Sequence, residues 1–166
     1  MNDAGGRGAV FVFVRTGMNW TQQGSPLRGT GSIGSSSQGV SVSITADGNL
    51  LAFGGYTDNS AVGAVWVFSR SADGEWSQLG EKLVGFNTVG QSWFGYSVSL
   101  SGDGTTLTVG GPYDDGASSA SGAMWTYTRT VNPPTLSPAS SSTSSSSLVV
   151  PIAAGLGGAC SFYRLV

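Results

Sequence analysis

The sequence predicts an all-β fold assembled from small antiparallel sheets that follow one another along the chain. Three observations support this prediction: 27 of the 166 residues are glycine, only 10% are charged, and a segment of about 56 residues occurs twice. Many turn residues, little charge and enough branched and aromatic side chains for a core are typical of β-rich domains. No stretch shows the apolar period of 3.6 residues that a packed helix requires.

The repeat becomes visible when Trp20 is placed under Trp76. Residues 20–59 then align with residues 76–115 without a gap, and 17 of the 40 positions are identical. A hexamer recurs as well, as GAVFVF at 8–13, GAVWVF at 63–68 and GAMWTY at 122–127. A period of this length indicates a solenoid, a propeller or a similar array.

Each repeat contains four extended segments. The first alternates apolar residues with serine, as in VSVSIT at 40–45 and YSVSLS at 96–101, and it leads into an Asp-Gly turn. This pattern predicts a strand followed by a hairpin turn. The second strand is LLAFGG or TLTVGG, the hexamer is the third, and WSQLGEKLVG at 76–85 is the fourth.

The hexamer strand has two apolar faces. Ala64, Trp66 and Phe68 share one face, and Val65 and Val67 share the other. We therefore expect this strand to be covered on both sides. Four antiparallel strands with short turns and an inner strand buried on both faces describe a β-propeller blade.

The predicted fold class is thus all-β, a partial β-propeller built of four-stranded antiparallel blades and followed by a disordered Ser/Pro-rich tail. Residues 1–19 are predicted to be a partial blade, and residues 20–75 and 76–130 are two repeats. Since propellers use about 4 to 8 blades, closing a ring requires further blades or other copies.

The chain changes character after residue 130. Residues 131–147 are rich in Ser, Thr and Pro, which predicts a disordered linker or stalk. Residues 148–166 form an apolar tail. This tail has three interpretations: a truncated membrane anchor, a lipid-anchor signal that is removed, or an unstructured end. A complete membrane span would need about 20 apolar residues.

One stretch is similar to a known family. FGYSVSLSGDGTTLTVGGP at 94–112, followed by GAMWTY, resembles the FG-GAP repeat, the blade unit of integrin-α-type propellers. Phe94-Gly95 supplies the FG, and Gly110-Gly111-Pro112 stands where GAP occurs. The resemblance covers residues 1 to about 130 and implies an extracellular or cell-surface propeller that binds protein or glycan partners.

The resemblance also implies calcium in blade loops, but the residues here do not support it. The two hairpin loops read TADGN and SGDGT, with a single carboxylate each. Calcium takes about 6 to 8 oxygen ligands. We therefore expect no metal ion and no other cofactor.

Residues that differ between the repeats are candidates for ligand contact, because fold requirements should recur. Trp93 replaces Ser37 and Tyr113 replaces Thr57. Aspartates recur in the loop before the hexamer, where a solvated loop is the alternative to a ligand site. The candidate ligand-binding residues are Trp93, Tyr113, Asp114, Asp115, Asp58 and Asn59, and Asn19 heads an N-glycosylation motif.

The composition limits the function. The chain has no histidine, and no catalytic constellation is visible, so we expect a protein that is not an enzyme. A net charge of -2 without any basic cluster makes nucleic acid an unlikely partner. The leading hypothesis is a cell-surface or extracellular propeller segment that mediates protein binding or adhesion. The alternatives are a glycan-binding propeller and accessory blades of a larger secreted enzyme.

Overall fold

A computed structural model describes residues 5–115 and 121–129 in full and the backbone of residues 160–165. The strands of this part are β1 Phe13–Thr16, β2 Asn19–Gln22, β3 Ser41–Ile44, β4 Leu50–Gly55, β5 Ala64–Arg70, β6 Trp76–Gln78, β7 Ser97–Leu100, β8 Thr106–Gly111, β9 Ala123–Arg129 and β10 Cys160–Leu165. One short helical turn, α1, covers Asp58–Ala61.

The described strands form three antiparallel units. β1 and β2 make an N-terminal hairpin, the first sheet has the order β3-β4-β5-β6, and the second sheet has the order β10-β9-β8-β7. All pairs within these sheets are antiparallel. The all-β prediction is confirmed, and β4 and β8 coincide with the predicted LLAFGG and TLTVGG segments.

The duplicated segments adopt the same arrangement. The first two hexamers each begin with a parallel bridge to the segment before the next sheet, and two residues later an antiparallel bridge joins each of them to a leucine. The bridges are Gly8 to Gln38 and Val10 to Leu27 in the first copy, and Gly63 to Phe94 and Val65 to Leu83 in the second. The glycine bridges join consecutive units, and the valine bridges extend the pairing of β1 with β2 and of β5 with β6.

Strand β5 is apolar on both faces, as predicted, and each face packs into a different core. One core lies between the N-terminal hairpin and the first sheet, and the other lies between the two sheets. The first core contains Val10, Leu51, Phe53, Ala64, Trp66 and Phe68, and the second contains Ala52, Val65, Phe94, Leu107, Val109, Trp125 and Tyr127. The sheets are therefore layers that pack face to face.

Glycines allow the layers to approach at the level of the backbone. A Cβ atom on Gly63 would overlap the carbonyl oxygen of Phe94, and one on Gly54 would overlap that of Gly95. Gly63 also has a φ of +89°, which L-residues with a side chain rarely adopt. The glycines repeated in the sequence thus set the spacing between consecutive layers.

Because they recur at equivalent positions of the repeats, Trp20, Trp66, Trp76 and Trp125 are all expected in the core, and this prediction is wrong for Trp20. Trp66 and Trp125 are fully buried, as expected, and Trp76 packs beside the first core, but Trp20 is 66% exposed. Trp20 lies on β2 of the N-terminal hairpin, and no further sheet covers this hairpin among the described residues. The side chain therefore has no layer to pack against.

The C-terminal prediction is corrected in part. The last residues of the predicted apolar tail form strand β10, which pairs along β9 from Cys160 opposite Arg129 to Leu165 opposite Met124. Backbone pairing with the outer edge of β9 accounts for a strand at this position. The predicted linker 131–147 and residues 148–159 lie outside the described residues. The described part of the chain contains no helix with the length and apolar character of a membrane span.

We predict that Gly63→Ala destabilises the protein strongly. The new methyl group would overlap the Phe94 carbonyl, and the left-handed backbone adds strain, so we expect a loss of about 2–4 kcal/mol in the free energy of unfolding. Urea unfolding followed by tryptophan fluorescence measures this loss. Gly102→Ala is the control, since its Cβ would lie at an ordinary 3.6 Å from Ala46. Equal stability of the two variants would contradict the proposed glycine contact.

Candidate functional site

The hairpin aspartates are turn residues, and their carboxylates accept hydrogen bonds within the turn. Ser101 Oγ donates to Asp103 Oδ1 at 2.6 Å, and the backbone N–H of Thr105 donates at 3.0 Å. These hydrogen bonds lower the pKa of Asp103 to about 2. The hydrogen bond from the Thr45 hydroxyl, with that from the Asn49 amide, likewise lowers the pKa of Asp47.

This geometry does not fit a calcium ion. In each turn a single carboxylate already accepts bonds from the turn's own hydroxyl and amide donors. Within residues 5–115 and 121–129 no group of three or more acidic, histidine or cysteine side chains comes together. The calcium that the resemblance implies therefore has no ligand set in the described loops.

The candidates Asp58 and Asp114 lie in the interior, with no exposed surface. Asp58 Oδ1 accepts a hydrogen bond from Ile33 N at 2.7 Å, and Asp114 Oδ1 accepts one from Val89 N at 2.9 Å. Ile33 and Val89 occupy the same position in consecutive repeats. Each aspartate thus fixes the loop that precedes a sheet, and neither carboxylate reaches the surface where a ligand would bind.

Asp58 also forms an ion pair with a lysine. Lys82 Nζ lies 2.5 Å from Asp58 Oδ2, with the lysine side chain 16% exposed and the aspartate 0%. The position equivalent to Lys82 in the preceding repeat is Pro26. The buried pair therefore joins the loop between β6 and β7 to the loop between β4 and β5.

The loop between β4 and β5 contains an unusual left-handed turn. Asn59, Ser60 and Ala61 have φ values of 51°, 57° and 70°, although none of them is glycine. Contacts on both sides hold this turn: Asn59 N donates to Ile33 O at 3.0 Å, and Ala61 O accepts from Trp93 N at 3.1 Å. Left-handed residues with side chains cost free energy, so the surrounding contacts must fix this conformation.

Four aromatic rings cluster beside this turn, at the junction of the two sheets. The ring centroids of Trp93 and Tyr113 are 4.3 Å apart, and Tyr56 lies 4.8 Å from Trp93 and 5.5 Å from Tyr96. Tyr96 and Tyr113 are each 47% exposed, whereas Tyr56 and Trp93 are half-buried. We call Tyr56, Trp93, Tyr96 and Tyr113 the aromatic cluster.

The preceding repeat shows what the scaffold alone requires at this position. There Ser37 and Thr57 stand in place of Trp93 and Tyr113, and their hydroxyls form a 2.8 Å hydrogen bond. Ser37 has a φ of 51° and Trp93 a φ of 55°, so the left-handed backbone belongs to the repeat and not to the tryptophan. The fold therefore does not require the rings that the second repeat carries.

The structure separates the predicted site residues. It brings Trp93 and Tyr113 together but places the carboxylates of Asp58 and Asp114 in the interior. Asn59 N donates a hydrogen bond to Ile33 O at 3.0 Å, and Asp115 N donates one to Val89 O at 3.1 Å. Each backbone amide thus contacts the loop that the neighbouring aspartate fixes. Whether any of these residues binds a ligand stays a prediction. The same holds for glycosylation at Asn19, which lies exposed on β2.

Sequence reasoning missed two members of the aromatic cluster. Tyr96 stands at the position of Val40, and Tyr56 aligns with Pro112. Both differ between the repeats, so the criterion that found Trp93 and Tyr113 would have found them too. Tyr96 alternates with the apolar residues of β7, a pattern that predicts a strand residue and not a surface ring.

The comparisons with known proteins identify one repeat. The family model of the FG-GAP repeat matches residues 76–127. This segment is therefore an FG-GAP repeat, as the resemblance indicated, and it contains β6 to β8 and most of β9. No curated protein and no solved structure matches the chain.

We predict that Lys82→Met lowers the stability of the fold. The substitution leaves the buried Asp58 carboxylate without its cation, which costs about 2–4 kcal/mol in the free energy of unfolding. Chemical denaturation measures the change. The double variant Asp58→Asn/Lys82→Met should recover part of the loss, because the amide oxygen still accepts from Ile33. Wild-type stability of Lys82→Met would show that the pair does not stabilise the junction.

We predict that the Asp103 carboxyl titrates at about pH 2 in the folded protein. Its pKa is lower when folded than when unfolded, so its contribution to stability is present above pH 4, roughly, and is lost as the pH falls through about 2. Carboxyl carbon shifts in an NMR titration measure the midpoint. Ser101→Ala should move that midpoint upward, and a wild-type midpoint at the ordinary 3.8 would contradict the turn geometry.

Proposed function

We propose that the chain is a non-enzymatic binding module, a segment of an extracellular or cell-surface β-propeller that contacts a protein partner through the aromatic cluster. The FG-GAP repeat at 76–127 supports this proposal, since such repeats occur in extracellular and cell-surface proteins and are typical of binding and adhesion. Layers that pack face to face through equivalent bridges are the arrangement expected of successive blades.

One observation carries the proposal: an exposed aromatic cluster occupies a position where the preceding repeat has a serine and a threonine. Contiguous apolar patches on a protein surface often mark interaction sites. Tyrosine and tryptophan are also the residues that most often anchor protein partners, because they offer apolar area together with a polar group. A cluster that the fold does not need is therefore best explained by a ligand.

The position of the cluster suits such a contact. Tyr56 directly follows β4 of the first sheet, and Tyr113 lies two residues after the end of β8 of the second sheet. The ring of Trp93 contacts both of these tyrosines. Backbone hydrogen bonds hold the segment that carries Trp93, including the bond from Trp93 N to Ala61 O. The rings are thus presented by a rigid support, so little conformational entropy is lost on binding.

Glycan binding is the second candidate, and a neighbouring cavity favours it. A cavity of about 450 Å³ lies beside the left-handed turn and is lined by Ile33, Gly34, Ser35, Thr57, Ser60, Ala61 and Gln91. Its hydroxyl and amide groups adjoin the loop that carries Trp93. An aromatic surface next to hydrogen-bonding side chains is a combination that suits a sugar ring.

We predict that replacing the cluster abolishes binding without unfolding the protein. In Trp93→Ala/Tyr113→Ala, cell adhesion to the immobilised protein and retention of partners in pull-down assays should fall at least tenfold, because the anchoring rings are gone. Trp20→Ala is the matched control, as it removes an exposed tryptophan away from the cluster. Melting temperatures verify that both variants are folded.

A glycan array probed with the same proteins separates the two candidates. Glycan signals that disappear in the double variant would replace the protein partner by a sugar. Adhesion and pull-down signals that persist in the double variant, or that are absent from the wild type together with a silent glycan array, would overturn the proposed site. Loss in Trp20→Ala alone would move the contact to the N-terminal hairpin.

A further inference from the structure

One arginine of the first sheet has a buried donor without an acceptor. Arg70 is the last residue of β5, and its Nε atom is shielded from solvent but forms no hydrogen bond with the described residues. The ion pair described above involves Lys82, and within the same part of the chain no carboxylate pairs with Arg70. Leaving a buried N–H group unpaired costs free energy, so a donor of this kind indicates an acceptor that the fold itself does not supply.

The donor edge of Arg70 meets a second donor above Gly74. From the point where a Cβ atom of Gly74 would lie, the three nearest heavy atoms beyond its chain neighbours are Gln23 Nε2 at 2.9 Å, Arg70 Nη2 at 3.8 Å and Arg70 Nε at 4.0 Å. All three are nitrogens that donate hydrogen bonds and accept none. Gly74 has a φ of +89° and no side chain, which keeps this space open. The place therefore suits a ligand that accepts hydrogen bonds and carries negative charge.

A tryptophan fixes the orientation of the Gln23 amide. Trp76 Nε1 donates to Gln23 Oε1 at 3.3 Å. An indole N–H can only donate, so it binds the oxygen of the amide and leaves the Nε2 group on the side of Gly74. Trp76 lies directly opposite Arg70 in the pairing of β5 with β6, and Gln23 directly follows β2. The N-terminal hairpin and the first sheet thus each contribute a donor group.

The next repeat shows that the fold does not require this combination. Arg129 holds the position of Arg70 at the end of the hexamer strand, and so does Arg15 in the first copy. Gln23, however, aligns with Leu79, so the next repeat has no amide side chain at that position. Arg129 is exposed, whereas Arg70 is half-buried. The arginine is therefore common to the repeats, but the second donor is particular to this junction.

The charges around the site favour a singly charged ligand. Asp73 and Glu75 flank Gly74 in the turn between β5 and β6, and both are exposed. Their charges repel a doubly charged sulfate or phosphate group about twice as strongly as a carboxylate. The Nε and Nη2 atoms along one edge of a guanidinium also match the two oxygens of a carboxylate. These two properties together select a carboxylate.

We propose that Arg70, Gln23 and the turn at Gly74 form a binding site for the carboxylate of an acidic peptide. The two carboxylate oxygens accept from Nε and Nη2 of Arg70, and the Gln23 amide donates to one of them. This amide is the end of a flexible side chain, so it shifts to admit the ligand. Because Nε lies below the surface, the carboxylate has to reach it on a slim stem, such as the side chain of glutamate.

This site is separate from the aromatic cluster and does not depend on the function proposed for it. Gly55, the residue before Tyr56, pairs with Ala64 at the start of β5. Arg70 ends the same strand, about 20 Å away at the rise of a β-strand. Variants of the aromatic cluster therefore have no bearing on binding at Arg70.

An NMR titration of the full-length chain with N-acetylglutamate N-methylamide, a model of a glutamate residue in a peptide, tests this proposal. We expect saturable shifts of the Arg70 Nε–H signal and of the Trp76 indole signal, with one common affinity, because the indole is bonded to Gln23. The Nε–H signals of Arg15 and Arg129 are internal controls and should not follow that curve. The uncharged glutamine analogue of the probe should not bind.

Four substitutions examine the parts of the site. Arg70→Lys keeps the charge but removes the two-donor edge, so it should weaken binding about tenfold. Gln23→Leu introduces the residue of the next repeat and should weaken binding about threefold. Asp73→Asn/Glu75→Gln removes the repelling charges and should strengthen binding. Melting temperatures verify that each variant is folded.

Arg129→Lys is the matched control and should bind the probe like the wild type. The proposal would be overturned by the absence of a saturable shift at Arg70, by equal weakening in Arg70→Lys and Arg129→Lys, or by equal binding of the uncharged probe. Tighter binding of sulfate, or of glucuronate, whose carboxylate is attached directly to a sugar ring, would also overturn an acidic peptide as the ligand.

Discussion

The close approach of backbone between consecutive layers is the constraint on which the rest of this structure depends. Gly63 lies against Phe94 in a parallel bridge, and Gly8 lies against Gln38 in the same way. A side chain at either glycine would overlap the carbonyl oxygen opposite it. This contact fixes the distance between layers, and the residues directly before its partners, Ser37 and Trp93, have left-handed backbone.

The same constraint explains why the side chains at one junction can differ from those at the other while the backbone stays the same. The backbone conformation at Ser37 and Trp93 is set by the repeat, whatever side chain is attached. The hydrogen bond between Ser37 and Thr57 shows that two small residues are sufficient there. Replacing them with aromatic rings keeps the same backbone conformation and changes the surface, which would give this repeat the proposed binding site without a change of fold. The buried Asp58 and Lys82 pair strengthens this junction from within.

Most of the fold was predictable because its signals are local and occur twice. The period of two in VSVSIT, the Asp-Gly turn and the two apolar faces of β5 each identify one strand, and the structure has these strands in place. What sequence reasoning missed depends on distant contacts. The buried carboxylate of Asp58 pairs with Lys82, which lies 24 residues away in the sequence, and no lysine stands at the equivalent position of the preceding repeat. The pairing of β10 with β9 joins segments 30 residues apart, with no repeat to reveal it.

A NOESY spectrum of the methyl- and aromatic-labelled protein tests the central claim most directly, because it measures both junctions at once. The account predicts cross-peaks from the methyl groups of Val10 to the α-protons of Gly39 and, equivalently, from those of Val65 to Gly95, with ring contacts between Trp93 and Tyr113. It would be contradicted by a spectrum in which only one of the two valine–glycine contacts occurs, or in which the two copies of the repeat pair edge to edge in a single continuous sheet.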